Sequence, residues 1–434
     1  MATSFLHHAL PVQPPSPRRR IAFLNMALES AWRRGWATRP TLDPEGLIAA
    51  ARRSTGLDHF GHDSGWRDRL DVLTGALHGE ASLNAVGQTI AHGQIVAALA
   101  NRLRLSALWN RHEEIGDWPL VAPIIVVGQM RSGSTRVQRL LACDDRLAHT
   151  RFFESWNPAP RWRSLPFDDR RLRGSLALLA AKVMNPQFGV IHPTGACAAD
   201  EEIGLHNIAL YGSAFEAQWR IPSYVRRGEA GGNREVYREF RRHLQTIGWL
   251  RGRRDARPWI LKVPQFTQDL GDVLSVFPDA RIIVLNRDPA DIVGSSASLV
   301  YNQMVVQSDR VDRSWIGREW VRKTALRSKR TRLALARSSH ARAFLDYEAV
   351  EKDWRREMAK VYAMLGMSFT SQVQQKMARF LGQRSHARLC RHRYDLAEFG
   401  LSAEDIRDAV RPDAPLFEAV FRRGRPSDRP AYLS

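Results

Sequence analysis

Apolar and polar positions follow different periods in the two parts of this chain. Over residues 21–118 the apolar side chains recur at helical spacing, as at Val96, Leu99 and Leu103. No alternating run of β-branched residues interrupts this stretch. We therefore predict an all-helical N-terminal region over residues 21–118.

Short β-branched runs appear only after residue 118, and helical patterns follow them. The predicted strands are Ile124–Val127, Trp259–Val263, Arg281–Leu285 and Arg342–Asp346. The predicted helices include Leu172–Met184, Tyr237–Leu250 and Val350–Leu365. Strand–loop–helix units repeated in this way indicate a parallel sheet covered by helices on both faces. Residues 119–434 are thus predicted to form one α/β domain.

Composition narrows the class of protein. The Pro-rich residues 1–20 are typical of a disordered tail. No apolar run reaches the roughly 18 residues that a membrane span needs, and no secretory signal is present. Three separated cysteines argue against a disulfide framework and against a structural zinc site. We predict a cytoplasmic protein without a membrane span, and the sequence does not specify its oligomeric state.

The formal net charge is +20, and most of the basic residues are arginines spread along the whole chain. Because they form no stripe interleaved with aromatic residues, we interpret the excess as compositional bias and predict no nucleic-acid partner. A basic protein that binds nucleic acid or a lipid surface without catalysis is the alternative from a different class. It predicts steeply salt-dependent binding.

A phosphate-binding loop is the clearest chemical signal. Residues 128–135 read Gly-Gln-Met-Arg-Ser-Gly-Ser-Thr and lie between a predicted strand and a helix. The glycines allow the backbone to approach an anion, and the hydroxyls of Ser132, Ser134 and Thr135 add donors. Arg131 can grip phosphate oxygens. The spacing is P-loop-like, but Ser134 replaces the lysine of the GxxxxGK[ST] pattern, which weakens an ATP-dependent interpretation.

A second anion site is predicted at the end of the strand Arg281–Leu285. Asp288-Pro289 is a strong helix start, which places Arg287 at the carboxyl end of that strand. Ser295 follows eight residues later, inside the predicted helix. An Arg and a Ser at this spacing can hold a phosphate separate from the first one.

Together, the two segments resemble the cofactor signatures of the sulfotransferase superfamily, whose members use 3′-phosphoadenosine 5′-phosphosulfate (PAPS). Arg131-Ser-Gly-Ser-Thr135 resembles the family's 5′-phosphosulfate loop, including Ser132, Gly133, Ser134 and Thr135, and Arg287 with Ser295 resembles its 3′-phosphate pair. One bacterial-type branch is similar over roughly residues 45–400. Its segments resemble Trp259–Pro264, Phe277–Arg281, His192-Pro193 with Asp200–Glu202, and Arg391–Tyr394. The sequence departs from that branch at Phe266 and Cys390, which stand where a His and a Gly are usual.

The resemblance implies an enzyme that transfers a sulfuryl group from PAPS to a hydroxyl or amine of a small-molecule, lipid or carbohydrate acceptor. No metal is required. Lys262 resembles the lysine that neutralises the leaving oxygen. For the base we predict His192, because its imidazole titrates near neutrality, with Glu201 as partner or rival and Glu154 as a third alternative. Arg388, Arg391 and His392 are predicted to close over the 3′-phosphate. A P-loop kinase-like phosphotransferase remains the alternative enzyme.

Overall fold

A computed structural model describes residues 17–62, 65–161, 168–184, 194–252, 257–385 and 394–411. Its first part is helical: α1 (Pro17–Arg33), α2 (Pro44–Thr55), α3 (Trp66–Gly79), α4 (Ala85–Arg111) and a 3₁₀ turn over Glu113–Asp117. Asp43 begins α2 because its carboxylate accepts the backbone N–H of Gly46. Asn84 begins α4 in the same way, by accepting from Gly87. The prediction of a helical N-terminal region is confirmed.

Five parallel strands form the sheet, in the order β2-β3-β1-β4-β5. They are β1 (Ile124–Val127), β2 (Ala148–His149), β3 (Trp259–Leu261), β4 (Arg281–Asn286) and β5 (Arg342–Asp346). The predicted α/β architecture is therefore confirmed. Strand β2 was not predicted, because two residues are too short for a hydrophobic period to be recognised.

Helices connect and cover the strands. Before β3 the chain forms α5 (Ser134–Leu141), α6 (Phe152–Trp156), α7 (Asp169–Met184), α8 (Ile203–Ile208), α9 (Ser213–Gln218), α10 (Pro222–Glu229) and α11 (Arg234–Arg251). After β3 it forms α12 (Phe266–Val276), α13 (Pro289–Gln307), α14 (Arg313–Ala336), α15 (Tyr347–Lys352), α16 (Trp354–Leu365), α17 (Ser371–Ser385), a 3₁₀ turn over Ala397–Phe399 and α18 (Ala403–Val410).

Neighbouring residues of β1 pack on opposite faces of the sheet, as the two-residue period of a strand requires. Ile124 and Val126 join a core with Val137 of α5. Ile125 and Val127 join a second core with residues of α11 and α12. Because both faces are covered, all four residues are buried and apolar, which explains why this strand lacks alternation.

The helical N-terminal region shares its hydrophobic core with the later part of the chain. Residues of α2, α3 and α4 pack with Leu210, Phe215 and Trp219 in one cluster. Helix α4 also approaches the end of α13 so closely that a side chain at Gly87 would collide with the backbone of Gln307. A boundary near residue 118 therefore marks a change of architecture and does not separate two hydrophobic cores.

Several predicted boundaries differ from the structure by one or more residues. Helix α1 begins at Pro17, inside the predicted tail, because proline is tolerated in a first helical turn and arginine favours helices. Strand β3 ends at Leu261, before the end predicted at Val263. The helix predicted over Val350–Leu365 is two helices, because Asp353 adopts a non-helical conformation and caps the second.

Candidate active site

The segment between β1 and α5 forms a tight loop at the carboxyl end of the sheet. Gly133 has φ +90° and Arg131 has φ +69°. The left-handed conformation costs a residue with a side chain about 1 kcal/mol, so Arg131 is held there by its surroundings. A Cβ at Gly133 would collide with the ring of Tyr347, so only glycine fits. The N-terminal N–H groups of α5 then follow directly, as anion binding requires.

The predicted second anion site lies directly against this loop. Asp288 caps α13 by accepting the backbone N–H of Ala290 at 2.7 Å. Arg131 Nε donates to Ser295 Oγ at 2.9 Å. Arg287 Nη1 donates to the carbonyl oxygen of Arg131 at 2.8 Å. The structure thus brings the two predicted sites together through Arg131.

Arg287 is held by two further groups. Its guanidinium lies 3.2 Å from Asp291 Oδ2 and 4.2 Å from the centroid of the Tyr347 ring. Tyr347 therefore contacts both the loop glycine and the second-site arginine. Tyr347 was not among the predicted site residues, although its place directly after β5, at the carboxyl edge of the sheet, is a signal that could have identified it.

The electrostatics of these groups suit an anion. Burial lowers the pKa of Arg131, and the neighbouring positive charge of Arg287 lowers it further. An anion between two guanidinium groups would relieve their repulsion. Ser132 Oγ and Arg287 Nε are buried and have no hydrogen-bond partner among the described residues. These residues fit a ligand that carries phosphate groups.

Lys262, Glu201 and Thr135 form one cluster beside the loop. Lys262 Nζ and Thr135 Oγ1 each lie 2.6 Å from Glu201 Oε1. The Lys262 side chain is 2% exposed and that of Glu201 is 8% exposed. Lys262 follows β3, Glu201 precedes α8 and Thr135 belongs to α5, so three separate elements bring these groups together.

Glu202 anchors the backbone at this point. Its Oε2 accepts the backbone N–H of Lys262 at 2.8 Å, and its Oε1 accepts the hydroxyl of Thr150 at 2.7 Å. Complete burial raises the pKa of this carboxyl to about 8, although both hydrogen bonds oppose the shift. Asp200–Glu202 was predicted only as a family-like segment, and the role of Glu202 in fixing Lys262 was not predicted.

Glu154 has different partners from this cluster. Both of its carboxylate oxygens accept from the guanidinium of Arg251, at 2.9 and 2.6 Å. Its Oε2 also accepts the backbone N–H of Arg151 at the start of α6. These contacts account for Glu154 as a structural ion pair near β2, apart from the Lys262 cluster.

Four predicted site residues, His192, Arg388, Arg391 and His392, lie outside the described residues. The chain is described again from Tyr394, whose hydroxyl donates to Asp291 Oδ1 at 3.0 Å. Asp291 is also the carboxylate that pairs with Arg287. Tyr394, the last residue of the segment that resembles the family's C-terminal loop, therefore lies beside the second anion site.

Phe266, which stands where the similar branch has a histidine, is fully buried among aromatic rings. Its ring centroid lies 5.9 Å from that of Phe240 and 6.0 Å from that of His206. Burial lowers the pKa of His206 to about 3, which keeps this imidazole neutral. Position 266 therefore contributes packing and supplies no acid or base.

Within the described part of the chain, no group of three or more His, Cys, Asp and Glu side chains could hold a metal ion. None of the described helices combines the length and the apolarity that a membrane span requires.

Comparisons with known proteins identify the family and support the fold. No curated protein matches the chain. A crystal structure of sulfotransferase STF1 from Mycobacterium tuberculosis is similar with a TM-score of 0.75 and 25% identity, over 86% of this chain and 100% of the other. Sulfotransferase STF9 from Mycobacterium avium is similar in fold, with a TM-score of 0.71 and 22% identity over 84% and 94%. The model of the Sulfotransferase family matches residues 123–371, more than half of the chain. This chain belongs to the sulfotransferase family.

Proposed function

We propose that this enzyme transfers a sulfuryl group from PAPS to a hydroxyl or amine of a small-molecule, lipid or carbohydrate acceptor. One observation carries the proposal: the contact of Arg131 with Ser295 and Arg287, which joins two anion-binding elements. A donor with separate 5′ and 3′ phosphate groups needs two such elements at once. A nucleoside triphosphate would use the single row of contacts provided by a P-loop and its lysine.

The two halves of the site have different tasks in this proposal. Arg131, Ser132, Gly133, Ser134 and Thr135 hold the 5′-phosphosulfate. Arg287 and Ser295 hold the 3′-phosphate, and Arg388, Arg391 and His392 close over it. The donor supplies an activated sulfuryl group on a phosphate leaving group. No metal takes part in this scheme.

Lys262 stabilises negative charge as it develops beside the loop. Its ammonium is buried next to Thr135, where a positive charge interacts more strongly than in water. Glu202 positions the lysine by accepting its backbone N–H. The expected contribution of such a preorganised cation is a rate factor of roughly 100–1000.

Glu201 is the base in this proposal. Its carboxylate already contacts Lys262 and the Thr135 hydroxyl, so it lies where an acceptor proton would be removed. His192 is the rival, eight residues before the described Asp200. Glu154 is disfavoured because Arg251 occupies both of its oxygens.

A mass-spectrometric screen tests the activity. Acceptor pools are incubated with PAPS and the full chain, and products are searched for a gain of one sulfonate. Parallel incubations with ATP search for a gain of one phosphate. Sulfonated products formed by the wild type and lost in Lys262→Met support the proposal. Phosphorylated products formed from ATP would favour the kinase-like alternative.

A further inference from the structure

Helix α7 carries an exposed stripe of large apolar side chains. Leu172, Leu176, Leu179 and Val183 are 47, 55, 58 and 65% exposed. Their spacing of four, three and four residues places them on one face of the helix. Isolated exposed leucines are ordinary on protein surfaces. A continuous apolar stripe on one helix instead indicates an interaction surface.

The opposite face fixes this helix to the domain. Gly174 packs so closely on α6 that a side chain there would meet Phe153 at 2.9 Å, and Leu178 is buried. Arg173 pairs with the fully buried Asp169 at 2.8 Å, which secures the first turn. The stripe is therefore held in a defined orientation by packing on its other side.

The charges around the stripe are positive. Arg171 and Lys182 are exposed near the two ends of the helix. Asp169 is the one acidic residue of α7, and it is buried and paired.

We propose that α7 docks on an anionic lipid surface, with the stripe inserted among the acyl chains and the basic groups at the headgroups. An apolar helix face flanked by basic residues is the pattern of helices that lie in the membrane interface. Arg171 and Lys182, the two exposed charged residues of α7, complement anionic headgroups.

A second copy of the chain fits this surface less well. Two antiparallel α7 helices would bring Arg171 of one copy near Lys182 of the other. Two parallel helices would bring each of these cations near the same cation of the other copy. The net charge of +20 adds to the repulsion between copies. Charge complementarity therefore favours an anionic bilayer.

Co-sedimentation of the full chain with vesicles tests this proposal. Vesicles of equal parts phosphatidylcholine and phosphatidylglycerol are compared with vesicles of phosphatidylcholine alone. The wild type should bind the anionic vesicles, and added salt should weaken binding. The double variant Leu176→Ser/Leu179→Ser should bind about tenfold more weakly or worse, because two apolar side chains no longer insert.

The control is Val121→Ser. It removes an apolar side chain that is 44% exposed and lies outside the helices, shortly after the exposed Asp117. The control should bind like the wild type, and both variants should keep the wild-type Tm because their targets are exposed. Absent wild-type binding, or equal binding by the α7 variant, would overturn the proposal. So would a dimer in sedimentation velocity that the α7 variant alone loses. None of these outcomes depends on sulfotransfer.

Discussion

Two buried Lys–Glu pairs in this enzyme have similar chemistry and different surroundings. Lys323 pairs with Glu216 between α14 and α9, and their side chains are 1 and 7% exposed. Lys262 pairs with Glu201 beside the loop between β1 and α5, with side chains 2 and 8% exposed. Burial therefore does not distinguish the structural pair from the pair that we propose to be catalytic.

The arrangement of partners does distinguish them. Glu216 divides its two oxygens between Lys323 and Arg327. Burial alone would raise the pKa of Glu216, but these two cations outweigh it and lower the pKa. In the other pair, Lys262 and Thr135 converge on the same oxygen of Glu201. Both oxygens of Glu216 are thus occupied by cations of α14. Glu201 instead shares Lys262 and Thr135 with a loop suited to anions.

The largest expected effect on stability comes from Lys323→Met. Removing one partner of a buried ion pair leaves charge poorly compensated, so we expect the free energy of unfolding to fall by about 3–5 kcal/mol. Urea denaturation measures the loss. Adenosine 3′,5′-bisphosphate should still raise the Tm of this variant. A loss below about 1 kcal/mol would show that this pair is not a structural unit.

Lys262→Met should lower turnover by roughly 100–1000-fold, because it removes the cation beside the transferred group. Single-turnover kinetics with an acceptor from the mass-spectrometric screen measures this change. The variant should also lose most of the rise in Tm caused by the bisphosphate, unlike Lys323→Met. An equal rise in Tm in Lys262→Met and Lys323→Met would contradict the distinction between the two Lys–Glu pairs.

Glu201→Gln should lower turnover about 100-fold, the scale of a general base. Binding of the bisphosphate should become about tenfold tighter, because no carboxylate then competes for Lys262 and Thr135. Calorimetric titration measures binding, and Glu154→Gln is the matched control with unchanged affinity. Unaltered turnover in Glu201→Gln, together with inactivity of His192→Ala, would assign the base to His192.

Glu202→Gln should change the pH dependence of stability. The pKa of Glu202 is raised from 4.5 to about 8, so the fold favours its neutral form. That contribution to stability is complete below about pH 4.5 and is lost as the pH rises through about 8, at a cost of about 2 kcal/mol between pH 6 and 8.

Glutamine is neutral and can satisfy both Lys262 N–H and Thr150, so the variant should lose less stability over this range. Thermal unfolding at several pH values measures the difference. Parallel curves for wild type and variant would contradict this explanation of the raised pKa.

The sequence predicted the fold where physical signals are local. The buried strands, the Asp288-Pro289 helix start and the glycines of the loop each leave a recognisable pattern. The two-residue strand β2 leaves no such pattern. The non-helical Asp353 lies within a stretch whose apolar residues keep a helical spacing throughout. Short elements depend on tertiary pairing, which one sequence does not display.

The residues of the candidate site also differ in whether a local sequence pattern predicts them. Arg131, Arg287 and Ser295 follow from motif spacing, and the structure brings them into contact. The contacts of Tyr347 with Gly133 and Arg287, and of Glu202 with Lys262, join residues that are distant along the chain. Glu154 has a residue type that suits a base, but the structure pairs its carboxylate with Arg251. Sequence spacing predicts which groups bind anions, whereas contacts between distant residues separate the carboxylate paired with Arg251 from those beside Lys262.

Calorimetric titration with three nucleotides tests the central claim most directly. Adenosine 3′,5′-bisphosphate, adenosine 5′-monophosphate and ATP are titrated into the wild type and Arg287→Ala. The wild type should bind the bisphosphate most tightly, and Arg287→Ala should weaken that binding by roughly 10–100-fold, the worth of a charge-assisted contact. Binding of the monophosphate should change little. Equal losses for both ligands, or tightest binding of ATP by the wild type, would contradict the proposed pair of phosphate sites.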